Sequence, residues 1–85
     1  MDMSYEQWQS YNEQDRLELQ ALYDPLPAKA RRALDEAYAL ISAATDDADI
    51  MRGLALGLSD GRLGAEQVTA AARLEGVVGL RRLAG

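Results

Sequence analysis

The sequence has no histidine, no cysteine and no phenylalanine among its 85 residues. Histidine is the usual general base and metal ligand, and cysteine is a strong nucleophile, so most routes to catalysis lack their reacting group. Without cysteine there are also no disulfides and no thiolate metal sites. Phosphate-binding glycine loops and serine nucleophile elbows are missing as well. We therefore expect a protein that is not an enzyme and that binds neither a cofactor nor a metal.

Long hydrophobic runs are missing too, since no stretch approaches the ~20 apolar residues of a membrane-spanning helix. The first residues include Asp2 and Glu6 and no early lysine or arginine, so they do not have the order of a signal peptide. Together with the lack of disulfides, these features predict a cytoplasmic protein without membrane contact. One lysine and eight arginines, beside fifteen alanines, favour a GC-rich bacterial or bacteriophage origin.

Strand patterns are a further absence. Apolar and polar residues alternate over no sustained stretch, β-branched residues are few, and apolar residues recur at three- and four-residue spacing. This periodicity predicts an all-α fold, a small bundle of four to five helices. A chain of 85 residues fits a single helical domain, spanning 1–85, with a small core.

Capping residues, a proline-rich turn and glycine stops divide the chain into predicted helices. These are a helix over about 5–23, a second over about 27–44, a third capped by 45–47 and ending near 58, a fourth over about 65–75, and a short final helix after Gly76. The third helix is apolar nearly all round, which predicts a position at the centre of the bundle or between two subunits. In the fourth helix we expect Val68, Ala71 and Leu74 to be the core anchors.

The first predicted helix contains one conflict. At ~100° per residue, Asp15 lies within the apolar stripe of that helix. Either the helix breaks near 12–14, with Asn12 capping a second segment, or the carboxylate of Asp15 has a partner.

The net charge of −5 is unevenly distributed. Residues 1–24 carry six acidic residues and one arginine, a sum of −5, whereas residues 61–85 sum to +2. An acidic head favours a partner with a basic surface, or head-to-tail contacts between copies.

Three aromatic residues, Tyr5, Trp8 and Tyr11, stand within this acidic head. Aromatic residues at this helical spacing are most often part of a core. They are also the residues that anchor interfaces, so an interaction helix is the sharper hypothesis. The candidate protein-binding residues are Tyr5, Trp8, Tyr11, Glu6, Glu13, Asp15, Asp46, Asp47 and Asp49.

The acidic cluster at Asp46, Asp47 and Asp49 has two interpretations besides binding. The calcium-loop pattern needs a glycine and a distal glutamate that are missing here, whereas acidic residues at a helix start are expected from capping and the helix dipole. We therefore interpret the cluster as capping. With the acidic residues of the head, it could also offer carboxylates where a nucleic-acid phosphate would bind.

Two other features bear on partners. Gly53 and Gly57 allow close helix approach, either within the chain or in a homodimer through the third helix. Arg73, Arg81 and Arg82 raise the alternative of nucleic-acid contact, which the net charge of −5 makes unfavourable.

The function that we predict is a small acidic protein-binding module, an adaptor, regulator or inhibitor that blocks a larger protein machine by occupying its surface. The alternatives are a nucleic-acid-binding transcriptional regulator that uses the C-terminal arginines, and a homo-oligomeric structural or assembly subunit.

Overall fold

The computed structural model of the chain describes residues 8–45 and 47–85. Within these ranges there are helices and no strands, so the all-α prediction is confirmed. The helices are α1 (Glu13–Tyr23), α2 (Ala28–Ala44), α3 (Ala48–Asp60) and α4 (Ala65–Ala84). None of these helices is long and apolar enough to cross a membrane.

The predicted helix over about 5–23 is not continuous, because α1 begins at Glu13; the part of that prediction before residue 8 lies outside the described residues. Residues 8–10 form a turn, in which the Tyr11 N–H donates to the Trp8 carbonyl at 3.1 Å. The side chain of Asn12 then caps α1 by accepting from the Asp15 N–H at 2.9 Å. Both alternatives predicted for Asp15 are therefore observed. The helix begins after Asn12, and the carboxylate of Asp15 also has a partner, the guanidinium of Arg52 in α3 at 2.6 Å.

The predicted central position of α3 within the bundle is confirmed, since this helix contacts each of the other three. Burying apolar surface supplies most of the free energy of folding, and the residues that do so come from every helix and from the turn before α1. The largest fully buried side chains are Trp8, Leu19, Leu34, Ile41, Met51, Leu54, Val68 and Leu80.

The two glycines of α3 allow close packing within the chain. A Cβ atom added to Gly53 would lie 2.6 Å from the carbonyl oxygen of Ala84, and one added to Gly57 would lie 2.5 Å from the Leu63 Cδ1. Intrachain neighbours therefore account for both glycines. The homodimer through this helix, which its apolar back also suggested, stays a prediction, since Leu56 is 40% exposed.

A break at Gly76 divides α4, as the change of apolar phase predicted. Gly76 has φ 64° and ψ −144°, a conformation that L residues adopt only with strain. The break turns the last part of the helix so that Leu80 is fully buried.

The prediction that Leu74 is a core residue is wrong, because its side chain is 84% exposed. The residues of the helix that are buried before the break are Val68 and Ala72. At ~100° per residue, Leu74 lies about 120° from Val68 and about 160° from Ala72 around the helix axis. The same rotation that buries these two residues therefore directs Leu74 to the surface.

Replacing Gly76 with alanine is expected to lower the free energy of unfolding by about 1 to 2 kcal/mol. The cost comes from the backbone, because no atom lies within 4 Å of the position that a Cβ would take. Chemical denaturation of the Gly76→Ala variant measures the loss. D-alanine, introduced at the same position by chemical synthesis, is the matched control, because the mirror image of this conformation is relaxed. Equal losses for the L and D residues would contradict the assignment of strain to Gly76.

Candidate functional site

The described residues of the predicted protein-binding set lie in four different environments: the core, an ion-pair cluster, a helix N-cap and the exposed surface. Tyr5, Glu6 and Asp46 lie outside the described residues. Trp8 and Tyr11 are buried, and their rings contact Tyr38 edge to face at centroid distances of 5.0 and 5.6 Å. This corrects the interaction-helix hypothesis for these two residues, because their side chains belong to the core.

The acidic residues Asp15 and Asp49 are held by Arg52, which the sequence did not single out. One guanidinium nitrogen lies 2.6 Å from the Asp15 carboxylate, another lies 3.0 Å from Glu18, and a third contacts Asp49. The Arg52 side chain is 30% exposed. We call Arg52, Asp15, Glu18 and Asp49 the Arg52 cluster, and it joins α1 to α3.

The pKa of the Arg52 guanidinium reflects two opposing effects. Burial lowers it, but the hydrogen bond to Asp49 and the charges of Asp15, Glu18 and Asp49 raise it by more. The net pKa is raised, so the guanidinium is charged under all physiological conditions. Three carboxylates around one cation form a structural cluster, in which Asp15 is the least exposed carboxylate and Asp49, at 78% exposed, remains open to solvent.

Asp47 has a capping role, as predicted. It is the N-cap of α3, and its side chain accepts from the Asp49 N–H at 2.9 Å. The Asp47 N–H donates to the Thr45 hydroxyl oxygen at 3.2 Å. Glu13, in the first turn of α1, is exposed. No group of three or more acidic side chains in the described ranges has a geometry that could hold a metal ion.

Two of the three C-terminal arginines form ion pairs. Arg73 of α4 contacts Glu36 of α2 at 3.3 Å, and Arg82 contacts Glu75 at 2.8 Å. Arg81 is exposed. Both pairs lie at the surface, with Arg73 70% and Arg82 64% exposed.

A groove lies between α2 and the first part of α4. Its volume is about 660 Å³. The residues that line it are Lys29, Arg32, Ala33, Glu36, Ala65, Glu66, Thr69, Ala70, Arg73 and Leu74. We call this feature the α2–α4 groove.

A second hollow of about 460 Å³ shares Lys29 and Ala65 with the α2–α4 groove and is otherwise lined mostly by apolar residues. Because Lys29 lies beside Ala65 at this end and Glu36 pairs with Arg73 at the other, the two helices run in the same direction. The concave surface therefore follows both helices from their N-terminal ends to Leu74.

The α2–α4 groove was not predicted from the sequence. Leu74 was expected in the core, and Arg73 was considered only as a contact for nucleic acid. A helical projection centred on Val68 and Ala72 would have placed Leu74 on the outer face, but the burial of Ala72 was not evident from composition.

The comparisons with known proteins return nothing. No protein-family model matches the chain, and no curated protein or solved structure matches it. Function is therefore inferred from the residues described above.

Proposed function

We propose that this chain is a non-enzymatic protein-binding module of the cytoplasm that acts as an adaptor, regulator or inhibitor, and that it contacts its partner through the α2–α4 groove. The observation that carries the proposal is Leu74, a large apolar side chain that is 84% exposed at one end of a concave surface. Isolated exposed leucines are common, but one that borders a groove lined by both apolar and charged groups is typical of a recognition surface.

The position of Leu74 favours a macromolecular partner over a small molecule. Small-molecule sites enclose most of their ligand, whereas Leu74 at the end of this groove is 84% exposed. Burying Leu74 in an interface would remove its apolar surface from water.

The acidic face predicted from the sequence has less support as the contact surface. Asp15 and Asp49 are engaged by Arg52, and Asp47 caps α3. Asp15, 24% exposed, and Asp47 would have to leave a partner within the chain in order to bind another protein. Lys29 and Leu74 have no such competing role among the described contacts.

Replacing Leu74 with aspartate is expected to weaken partner binding at least about tenfold, because a charge would replace an apolar contact at the interface. The test is affinity capture from the native host by the wild-type chain and by the Leu74→Asp variant, with titration of each captured protein by calorimetry. Circular dichroism is expected to show an unchanged fold, since the side chain is exposed.

Leu17→Asp is the matched control for this experiment. Leu17 is 54% exposed on α1 and lies outside the groove. We expect the Leu17→Asp variant to bind like the wild type. Equal binding by the Leu74→Asp variant and the wild type would contradict the proposal, as would loss of binding in the Leu17→Asp variant alone.

A further inference from the structure

We infer that the occupant of the α2–α4 groove is an amphipathic helix of a partner protein with acidic side chains along one flank. The inference rests on the proposed function and adds the chemistry of the partner. It depends on the length of the groove, the charges along its rim and the small residues of its floor.

The length of the groove suits a short helix. Between Ala65 and Leu74, α4 advances nine residues, which is about 14 Å at 1.5 Å per residue. A partner helix of about ten residues would cover that distance and would present three successive turns to the groove. Ala33 and Ala70 contribute small side chains to the lining, so a helix backbone can approach closely between α2 and α4.

The charges along the rim favour carboxylates on the partner. Lys29 and Arg32, both on α2, form no ion pair among the described residues. Arg73, on α4, is paired with Glu36 at 3.3 Å while 70% exposed, and ion pairs so open to solvent contribute little and exchange readily. Glu66 is the acidic residue of the lining with no ion pair in the described part. Unpaired cations therefore outnumber unpaired anions on the rim, although the whole chain carries −5.

The helix dipoles act in the same sense as these cations. Since α2 and α4 run in the same direction, both of their N-terminal ends, with their partial positive charge, lie near Lys29. The N-cap residues are Pro27 and Gly64, whose side chains cannot accept a hydrogen bond from the first-turn amides. Glu66, in the first turn of α4, offsets part of this positive charge, so a carboxylate of the partner is favoured on the α2 side beside Lys29, and an apolar residue at the Leu74 end.

Apolar residues distinguish this surface from one for nucleic acid. A phosphate-binding groove gains nothing from the exposed apolar side chain of Leu74, whereas the apolar face of an amphipathic helix can bury it. An acidic amphipathic helix would place carboxylates near Lys29 and Arg32 and apolar side chains against Leu74.

Selection from a displayed library tests the inference. The probe is a set of 14-residue amphipathic helices with fixed apolar positions and with charged positions randomised among Glu, Gln and Lys. Binders are selected on the wild-type chain and then titrated against the Leu74→Asp variant and the Lys29→Glu/Arg32→Glu variant. The charge-reversal control, Arg62→Glu/Arg81→Glu, changes two exposed arginines outside the groove.

The inference expects selected helices rich in Glu. Their affinity should fall at least about tenfold with Lys29→Glu/Arg32→Glu and with Leu74→Asp, and should be retained with the control pair. Lysine-rich helices should gain affinity for the Lys29→Glu/Arg32→Glu variant. The substitution at Lys29 introduces an acidic side chain into the first turn of α2, where negative charge is favourable, so this variant is expected to remain folded.

Four results would overturn the inference. Binders that need Leu74 but show no preference for Glu would contradict the acidic partner and leave the proposed function intact, whereas binders indifferent to Leu74→Asp would contradict both. Sedimentation equilibrium that shows a dimer lost in the Leu74→Asp variant would make a second copy the occupant. Binding of a single-stranded oligonucleotide that requires Lys29 and Arg32 but not Leu74 would assign the groove to nucleic acid.

Discussion

The Trp8→Ala variant is expected to lose about 3 to 5 kcal/mol of its free energy of unfolding. Trp8 is fully buried, and its indole ring packs edge to face against Tyr23 at 5.5 Å and Tyr38 at 5.0 Å. Alanine would remove the largest side chain of the core and leave a cavity between α1 and α2. Because small proteins are stable by only about 5 to 15 kcal/mol, this loss is a large share of the total. Urea denaturation followed by far-ultraviolet circular dichroism measures it.

Two comparison variants separate packing from other effects. Trp8→Phe keeps an aromatic ring, and the indole Nε1 has no acceptor among the described residues, so this variant should lose clearly less than Trp8→Ala. Leu17→Ala, on the exposed part of α1, is expected to change stability by about 0.5 kcal/mol or less. A Trp8→Ala variant with wild-type stability and lost partner binding would restore the interaction-helix hypothesis.

The Arg52→Ala variant is expected to lose about 2 to 3 kcal/mol. Removing the guanidinium would leave Asp15, Glu18 and Asp49 facing one another without a cation, and it would break the polar link between α1 and α3. The side chain is 30% exposed, so solvent screening keeps the loss below that of a fully buried pair. Thermal unfolding and urea unfolding both measure this loss in the free energy of unfolding.

The raised pKa of Arg52 determines how this loss depends on pH. A cation whose pKa is higher in the folded state stabilises the fold below its unfolded-state pKa, and the contribution is lost as the pH rises through the folded-state pKa. For an arginine that window is strongly alkaline. The contribution of the guanidinium itself is therefore expected to stay constant between neutral and mildly alkaline solution.

A double-mutant cycle with Asp15→Asn provides the control. The Arg52→Ala and Asp15→Asn changes should be clearly non-additive, because each removes the same contact. Arg62→Ala, which removes a longer contact of 3.7 Å between exposed groups, should have almost no effect. Additive losses in the cycle would show that the Arg52 cluster does not couple α1 to α3.

Local sequence signals predicted the parts of the fold that depend on neighbours in the chain. The break at Gly76 followed from a change in apolar phase, and the capping role of Asp47 followed from its place before an apolar run. The turn at Pro25 and Pro27 separated α1 from α2 as expected, because proline disfavours helix in the residue before it.

Features that depend on distant parts of the chain could not be predicted in the same way. Arg52 meets Asp15 across 37 positions of sequence, and Arg73 meets Glu36 across the same separation. Trp8 belongs to the core partly because its ring packs against Tyr38, which is 30 residues away in sequence, and no local pattern links these two residues. The α2–α4 groove exists only because two separate helices run side by side, so no single segment carries its signal.

Nuclear magnetic resonance mapping of the partner-binding surface tests the central claim most directly. The isotope-labelled chain would be titrated with the captured partner, and changes in amide chemical shift would be assigned to residues. We predict that the largest changes fall along 29–36 of α2 and 65–74 of α4, and that they vanish in the Leu74→Asp variant. Changes confined to α1 and to 47–49 would contradict this claim and would return the binding site to the acidic face.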